Sequence, residues 1–230
     1  MVQKIARRPN SRIDIQSLPA IKLPKPRHQS SRPLAKALQL RKTTREISDK
    51  ALEAQILSNL LWSACGVNRK TMPFGVCGRT AASASNSQEI DVYLALPEGT
   101  YLYEPIQHEL VPVAAGDLRR FAIGRGQGNA GADAPLRLIY VADIDKLANT
   151  SGFQEPGLGD PDVQRSYYYV DTGLIAANVY LYAASVGLAA WFHNCDKSTL
   201  SAKLSMRKDQ RVLFAQTIGY PLKKGRRVAP

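Results

Sequence analysis

The segment YVDTGLIAANVYLYAASVGLAA, residues 169–190, constrains the fold more than any other part of this 230-residue chain. Its pattern predicts a long helix with apolar side chains on nearly every side. Such a helix must be buried all round or must lie between subunits, because water would otherwise contact apolar surface on each face. No uninterrupted apolar run in the chain is long enough to span a bilayer, so protein has to cover this helix.

The other segments mix helix and strand patterns without a regular βαβ order. Helices are predicted over PLAKALQLRK (33–42) and SDKALEAQILSNLLWSACG (48–66), the second with Ser48 as its N-cap. Strands are predicted at EIDVYLAL and TYLYE, which form a hairpin around Pro97-Glu98-Gly99, and at APLRLIYVAD, LAAWFH and RVLFAQTIGY. We therefore expect an α+β domain over 34–230, preceded by an extended basic arm over 1–33.

The formal net charge of +12 is concentrated at the two ends of the chain. Residues 1–45 hold twelve Lys and Arg and one acid, residues 222–230 hold four more basic residues, and the remaining 176 residues sum to −3. Three interpretations stay open: solvated tails, arms that bind nucleic acid or another polyanion, and two ends that fold over one small anion. Nucleic acid is the weaker alternative, because the chain has no zinc-finger spacing, RRM motif or convincing helix-turn-helix.

Several common catalytic and metal-binding patterns are absent or misplaced. The GQGNAG run (126–131) matches G-x-G-x-x-G, but a helix-like segment precedes it and a strand follows, so we interpret it as a surface loop. The three cysteines show no CxxC spacing and are expected to be free thiols. His108 and His193 are far apart and lack acidic neighbours in a metal-binding pattern, so we expect no metal. Nothing indicates a side-chain nucleophile.

Three separate stretches remain as candidates for binding chemistry. LRKTTREI places hydroxyls among fixed positive groups, which suits a phosphate, and arginine can grip phosphate with two N–H donors. RTAASASNSQEI (79–90) has no large side chain before Ile90, so its backbone can come close to a ligand. GYPLKKGRR puts basic residues directly after a predicted buried strand. Taken singly, these stretches could also be a solvated turn, a flexible linker and a solubilising tail.

Taken together and in order, the stretches resemble the FMN-dependent nitroreductase family over roughly residues 34–224. RKTTR is similar to the family pattern R-R-S-x-R, and NLLWSACGV to its LLWAA-G helix end. RTAASASNSQEIDVYLALPEGTYLY looks like the segment found in the branch that includes SagB-type azoline dehydrogenases of peptide maturation. YAASVGLAAWFHNCD and QTIGYPLK fit the family's last helix, strand and GYP motif.

The resemblance implies a three-layer nitroreductase-like fold with a mostly antiparallel central sheet, helices around it, and an obligate homodimer with two FMN sites at the subunit interface. It also implies roles for particular positions. Arg41, Thr43 and their neighbour Lys42 would meet the FMN phosphate and ribityl chain, Lys223 or Lys224 would close on that phosphate, and Arg45 would lie beside flavin N1 and O2. Ser83, Ala84, Ser85 and Asn86 would hold the ring edge, and Phe192, His193 and Asn194 would pass N5.

The implied activity is carried mostly by non-covalent FMN. NADH or NADPH would reduce the flavin and leave, and an oxidised nitroaromatic, quinone or similar small molecule would then take the electrons, in ping-pong order. The 151–162 loop and residues 167–169 are candidates for the mouth of the site. Ala82, His193 and Asn194 depart from the family pattern, the last two within the segment expected to pass N5. We expect a soluble cytoplasmic protein, since the N-terminus shows no export signal, unless one has been removed.

Overall fold

The computed structural model describes residues 15, 18–27, 32–71, 76–127, 131, 134–151 and 157–222. The helices and strands of this part are, in chain order, β1 (Ile21–Lys22), α1 (Leu34–Leu40), α2 (Ala54–Cys65), β2 (Val67–Arg69), β3 (Gly78–Arg79), β4 (Ile90–Ala95), β5 (Gly99–Glu104), β6 (Glu109–Ala115), β7 (Leu136–Asp143), α3 (Ile144–Ala148), α4 (Pro161–Val186), β8 (Ala189–His193), α5 (Lys197–Lys203) and β9 (Gln210–Gly219).

Seven of the strands form one sheet in the order β1-β6-β5-β4-β7-β9-β8, and every neighbouring pair is antiparallel. The predicted hairpin is confirmed as β4 and β5, which are joined through residues 96–98. β2 and β3 make a separate two-stranded ribbon. The predicted α+β class with an antiparallel central sheet is therefore confirmed.

The sheet buries both of its faces, which gives the domain three layers. Successive side chains of a strand point to opposite faces, and on β7 Leu138 and Tyr140 pack on one core while Ile139 and Val141 pack on another. The first core is closed by α2 and α4, and the second by α5. A strand covered on both faces has no polar face, which explains why APLRLIYVAD is almost entirely apolar between Arg137 and Asp143.

Helix α4 has 26 residues and packs along the first core. It begins at Pro161 rather than at the predicted Tyr169, because Asp160 accepts the Asp162 N–H as N-cap. It ends before Gly187, whose φ of 79° stops the helix. Residues 189–190, which the predictions placed in both the helix and the strand LAAWFH, therefore belong to the strand, β8. One face is buried against the sheet, whereas the opposite face leaves an apolar stripe exposed.

The predicted start of α2 at Ser48 is wrong. The helix begins at Ala54 with Glu53 as its N-cap residue. The residues before it are held by the end of the chain instead, because Ile47 pairs with Pro221 and the Ser48 N–H donates to the Tyr220 carbonyl at 2.9 Å. Tertiary pairing therefore overrides a local capping signal at this position.

The described part of the N-terminal arm, residues 18–27, lies along the open edge of the sheet. Ile21 pairs with Leu110 of β6, and the Ser58 hydroxyl donates to the Pro24 carbonyl at 2.5 Å. His108 has a structural role, because its ring nitrogens lie 2.8 Å from the Ser58 and Tyr103 hydroxyls. The arm thus contributes an edge strand, while its separation from the domain at residue 33 stays a prediction.

Two further expectations concern the cysteines and the membrane. Cys65, Cys77 and Cys195 are free thiols, as predicted. Burial raises the pKa of Cys65 and of Cys195 to about 12, so these two are unreactive packing residues. Among the described helices, none is long and apolar enough to cross a lipid bilayer.

Candidate flavin site

The 41–48 segment lies between β8 and the chain end. The Thr44 N–H donates to the Ala190 carbonyl at 2.9 Å, and the Leu222 N–H donates to the Glu46 carbonyl at 3.0 Å. The second bond brings the residue before Lys223 next to the predicted basic cluster. Lys223 and Lys224 themselves lie outside the described residues. The described chain thus leads both basic ends to the same place, which is what the single-anion interpretation requires.

Tyr180 of α4 joins this segment to β8. Its hydroxyl accepts the Phe192 N–H at 2.8 Å and lies 3.1 Å from the Thr43 hydroxyl. Either hydroxyl can donate in the contact between Tyr180 and Thr43, because each has one hydrogen and lone pairs that accept. The Arg41 guanidinium carbon lies 5.5 Å from the Tyr180 ring centroid. Tyr180 therefore fixes two of the predicted phosphate-binding residues.

Lys42 lies apart from Arg41 and Thr43. Neighbouring side chains of an extended segment point in opposite directions. Lys42 and Thr44 line a groove of about 340 Å³ beside Arg32 and the C-terminal end of α4. Arg41, Thr43 and Arg45 form the alternate set, and all three are exposed. The structure thus divides the predicted basic cluster between two sides of the segment.

Arg45 lies against Trp191 of β8, with its guanidinium carbon 5.1 Å from the Trp191 ring centroid. No ion pair within the described part of the chain involves Arg41 or Arg45. Because ring faces rather than carboxylates hold the two guanidinium groups, their N–H donors are open to an anion. This donor set fits a phosphate and an electron-rich ring edge.

His193 does not present its side chain to a ligand. Its Nδ1 lies 2.9 Å from the Asn194 carbonyl and its Nε2 lies 2.7 Å from the Thr217 hydroxyl. The carbonyl can only accept, so Nδ1 carries the hydrogen and Nε2 accepts from Thr217. Burial, aided by the Arg137 charge and opposed by the Asn194 carbonyl, lowers the pKa of His193 to about 4. The ring is a neutral, fixed part of the core, and this position offers a ligand its backbone.

Phe192 lies on the other face of β8 in a half-buried aromatic cluster. Its ring centroid is 4.9 Å from that of Phe214, and Tyr169 lies 5.8 Å from Phe214. The Lys197 ammonium is 5.1 Å from the Phe214 ring centroid. Asn194, which follows β8, is exposed. Tyr169, a candidate for the mouth of the site, is thus near the predicted N5 segment, whereas 152–156 of the candidate loop lie outside the described residues.

The Ser83–Asn86 stretch forms a tight turn rather than a linker, with a 3₁₀ helix at Ala84–Asn86. The Ser83 hydroxyl accepts the Gln88 N–H at 3.0 Å. The Asn86 amide donates to the Cys77 carbonyl at 3.2 Å and accepts from the Gln88 amide at 3.1 Å. These side chains hold the turn itself, so the groups that it offers to a ring edge are those of its backbone.

Two buried acids that the sequence analysis missed support this turn. Asp171 of α4 accepts the Ala84 N–H at 2.9 Å, and Glu89 accepts the Ser87 hydroxyl at 2.6 Å. An acid within an otherwise apolar helix was the available signal for Asp171. A cavity of about 100 Å³, lined by Ser83, Gln88 and Asp171 among others, lies beside the turn.

The two halves of the predicted site lie on opposite sides of α4 within one chain. The turn is bonded to Asp171 and the basic segment to Tyr180, nine positions further on. Nine residues at about 100° and 1.5 Å each place these contacts half a revolution and about 14 Å apart. One chain therefore brings Arg41, Thr43 and Arg45 to the Phe192 segment but keeps the Ser83–Asn86 turn away from them.

Comparison with known proteins agrees with this architecture. The Nitroreductase family profile matches residues 38–220, so the chain belongs to the nitroreductase family. A crystal structure from Ralstonia eutropha JMP134, named as a nitroreductase, is 35% identical and superposes with a TM-score of 0.77 over 97% of this chain and 98% of the other. A Methanocaldococcus jannaschii protein, also named as a nitroreductase, is 27% identical over 155 residues, which are 64% of this chain and 71% of that protein.

A more distant structural relative comes from the Escherichia coli microcin synthetase complex McbBCD, solved with truncated pro-MccB17 bound. It is 17% identical, with a TM-score of 0.63 over 94% of this chain and 77% of the other. At this identity the match supports the fold alone.

Membership of the nitroreductase family identifies the protein as a flavin-dependent oxidoreductase. No group of three or more His, Cys, Asp or Glu side chains in the described part of the chain is arranged to hold a metal ion.

Proposed function

We propose that this protein is an FMN-dependent oxidoreductase that moves electrons from NAD(P)H to a nitroaromatic, quinone or similar oxidised small molecule in ping-pong order. We also propose that two copies of the chain form a homodimer and that each FMN site combines the Arg41–Arg45 segment of one copy with the Ser83–Asn86 turn of the other. The arrangement of contacts around α4 carries this proposal.

The exposed stripe of α4 is the natural surface for a second copy. Val170 is 60% and Leu174 41% exposed, and both lie on one helical face with Ala177 and Leu181. Exposed apolar side chains in a continuous stripe favour a protein interface. A two-fold dimer buries the same patch on both copies, so the stripe must be self-complementary.

The stripe is symmetric about the point midway between Ile175 and Ala176. An antiparallel pairing centred there sets Val170 opposite Leu181 and Leu174 opposite Ala177. The same centre sets Asp171 of one copy level with Tyr180 of the other, because 171 and 180 are also equidistant from it. The two residues flank the stripe on opposite sides, and the two-fold axis of an antiparallel pair keeps each flank facing the same flank of the partner. The pairing therefore brings the turn of one copy and the basic segment of the other to the same level along the helices, which removes the separation of about 14 Å that exists within one chain.

The residues brought together suit FMN rather than a dinucleotide. Arg41 and the Thr43 hydroxyl offer donors for one phosphate, and Arg45 offers a positive charge to the pyrimidine edge of the ring. The Ser83–Asn86 turn offers backbone groups with little side chain in the way. Bound flavin supplies the two-electron chemistry, and the chain's residues bind it, orient it and place charge where electron density increases.

The proposal is tested by isolating the protein and reconstituting it with flavin. We expect a yellow protein whose chromophore is released by heat as FMN, and a sedimentation coefficient of a dimer at micromolar concentration. Stopped-flow mixing with NADH or NADPH should bleach the flavin before any oxidised substrate is added, as ping-pong order demands. Release of FAD, no flavin uptake on reconstitution, or a flavin-loaded monomer would contradict the proposal.

A further inference from the structure

Two buried carboxyl groups hold the Ala84–Asn86 turn from the interior of the protein. Glu89 has no exposed surface and Asp171 is 4% exposed. Asp171 Oδ2 accepts the Ala84 N–H at 2.9 Å, at the start of the turn. Glu89 Oε2 accepts the Ser87 hydroxyl at 2.6 Å, at its end. Each acid therefore anchors one end of the turn to the interior.

The turn depends on such anchors because its backbone conformation is unfavourable. Ser85, Asn86 and Gln88 have φ angles of 49°, 58° and 53°, in the left-handed region that residues with a Cβ seldom adopt. Three such residues within four positions persist only when surrounding contacts hold them. If an anchor is lost, the turn should relax towards ordinary φ angles and change the position of its backbone N–H groups.

The two acids are too close and too buried for both to be ionised without cost. Burial raises the pKa of Glu89 to about 7, against the lowering effect of the Ser87 hydrogen bond, and the Asp171 charge raises it further. Burial also raises the pKa of Asp171, which the Ala84 N–H opposes. Since Asp171 accepts a backbone N–H, it keeps its charge, and Glu89 carries the shared proton.

Glu89 Oε1 supports this assignment. It is buried and has no hydrogen-bond partner within the described part of the chain. An ionised carboxylate with an oxygen in that position would lose its hydration without compensation, whereas a protonated carboxyl is neutral and costs much less to bury. The other charged side chains near Glu89 and Asp171 have hydrogen-bond or ion-pair partners of their own. Arg79 donates to Gln88, Asp91 pairs with Lys146 at 2.6 Å, and Asp143 pairs with Arg207.

The remaining titratable residues near the two acids are Cys65 and Tyr103, which stay neutral because burial raises the pKa of each, and Glu104, which also lines the cavity. Glu89 is thus the group whose charge changes in direct contact with the turn. The Asp143 N–H also bonds the Glu89 carbonyl at 2.8 Å, which fixes the Glu89 backbone while its carboxyl titrates.

We propose that Glu89 and Asp171 are a proton-sharing pair of positioning residues for the flavin ring. With one proton the pair fixes the Ala84–Asn86 turn in its binding shape, and loss of that proton releases the turn. This inference rests on the proposed function, in which the turn contacts the ring edge of FMN. It assigns a role to two acids that touch the turn and not the flavin.

The binding test compares FMN dissociation constants at pH 6 and pH 8. If only the protonated pair binds well, its population falls from about nine-tenths to about one-tenth across a pKa near 7, so the dissociation constant rises roughly tenfold. Glu89→Gln, whose amide always donates, should stay within about twofold over the same range. Asp91→Asn, a neighbouring carboxyl-to-amide control, should keep the wild-type profile. The FMN phosphate titrates near pH 6 in every variant, so its effect cancels between them.

Hydrogen exchange in the apoprotein tests the turn without flavin. After correction for intrinsic rates, protection of the Ala84 amide should fall between pH 6 and pH 8 in the wild type and stay constant in Glu89→Gln. If Glu89→Gln does not fold, Asp171→Asn replaces it, because removing the second charge should also flatten the profile. A Glu89→Gln profile that follows the wild type overturns the inference. A pH-dependent turn with pH-independent FMN binding places the ring elsewhere and overturns the positioning role, even where FMN binds.

Discussion

Replacing Tyr180 with phenylalanine tests the junction between the basic segment and β8. The substitution keeps the ring beneath Arg41 and removes the hydroxyl that accepts the Phe192 N–H at 2.8 Å and contacts Thr43 at 3.1 Å. The Phe192 N–H would then have lost its partner in a half-buried strand, which costs about 1–3 kcal/mol. The Thr43 hydroxyl is exposed and can hydrogen-bond to water instead, so the loss of its contact with Tyr180 costs about 0.5 kcal/mol.

The expected loss of unfolding free energy in Tyr180→Phe is therefore about 1.5–3.5 kcal/mol, which corresponds to a Tm lower by roughly 3–14 °C for a chain of this length. Thr43→Val removes only the exposed end of the bridge and should cost about 0.5–1 kcal/mol. The control is Tyr220→Phe, which keeps its ring under Lys50 and should change stability by less than about 0.5 kcal/mol.

Thermal and urea melts of the apoprotein measure these differences without cofactor. The double variant of Tyr180 and Thr43 should lose less than the sum of the single losses, because both remove one shared contact. Equal losses in Tyr180→Phe and Thr43→Val would refute the reasoning, since the orphaned Phe192 N–H occurs in only one of them. No loss in Tyr180→Phe would show that its hydroxyl does not bridge the two elements.

Three further predictions concern the charge, the interface and the acid response of the protein. Arg41→Ala should raise the FMN dissociation constant roughly tenfold or more, from about 1.5–3 kcal/mol, and excess FMN should restore activity. Arg45→Ala should keep its flavin but lower the reduction potential, and titration with potentiometry would contradict the assignment if the two effects were exchanged. Leu174→Asp should give a monomer in sedimentation, while Ile106→Asp, at a more exposed apolar residue on the β5–β6 turn, should stay dimeric. The wild type should lose stability as pH falls from 6.5 towards 4, by about 1.4 kcal/mol per unit at most, because the unfolded chain protonates His193 and the folded one does not; urea melts of His193→Gln should lack this slope.

The elements that the sequence predicts well are those with a long or strongly patterned signal. The antiparallel hairpin of β4 and β5, the strand β7 and the body of α4 belong to this group. The start of α4 carried its own signal in Asp160 and Pro161, an N-cap followed by a first-turn proline, which the loop interpretation of 152–162 passed over.

Strand β6 was not predicted, and Pro112 within it explains why. Proline removes a ladder donor and argues against a central strand. The structure accommodates it because β1 pairs only with Leu110 and Glu109, so Pro112 lies beyond the end of β1 at an open edge. A register shift opposite Thr100 and Tyr101 further relaxes the ladder there. Edge position is a tertiary property that local sequence does not contain.

The candidate site divides in the same way. The basic residues of the Arg41–Arg45 segment and the small residues of the Ser83–Asn86 turn could be recognised in the sequence, because charge and size are local properties. That His193 bonds Thr217 and that Asp171 holds the Ala84 N–H depend on partners 24 and 87 positions away. That Lys42 points into a separate groove depends on α4, which is also distant in the sequence. Pairings over such distances follow from the fold and could not be read beforehand.

The place of β9 in the sheet has a consequence for synthesis on the ribosome. β9 is the last strand in the described part of the chain, yet it lies between β7 and β8 and hydrogen-bonds to both. Residues 220–222, which follow it, pair with the 46–48 segment made far earlier. A nascent chain that stops before residue 210 has β8 without its only neighbour in the described sheet, and its basic segment without a docking strand. Until β9 and the residues after it have emerged, chaperones and proteases therefore encounter a chain with unpaired strand edges and without a fixed cofactor-binding segment.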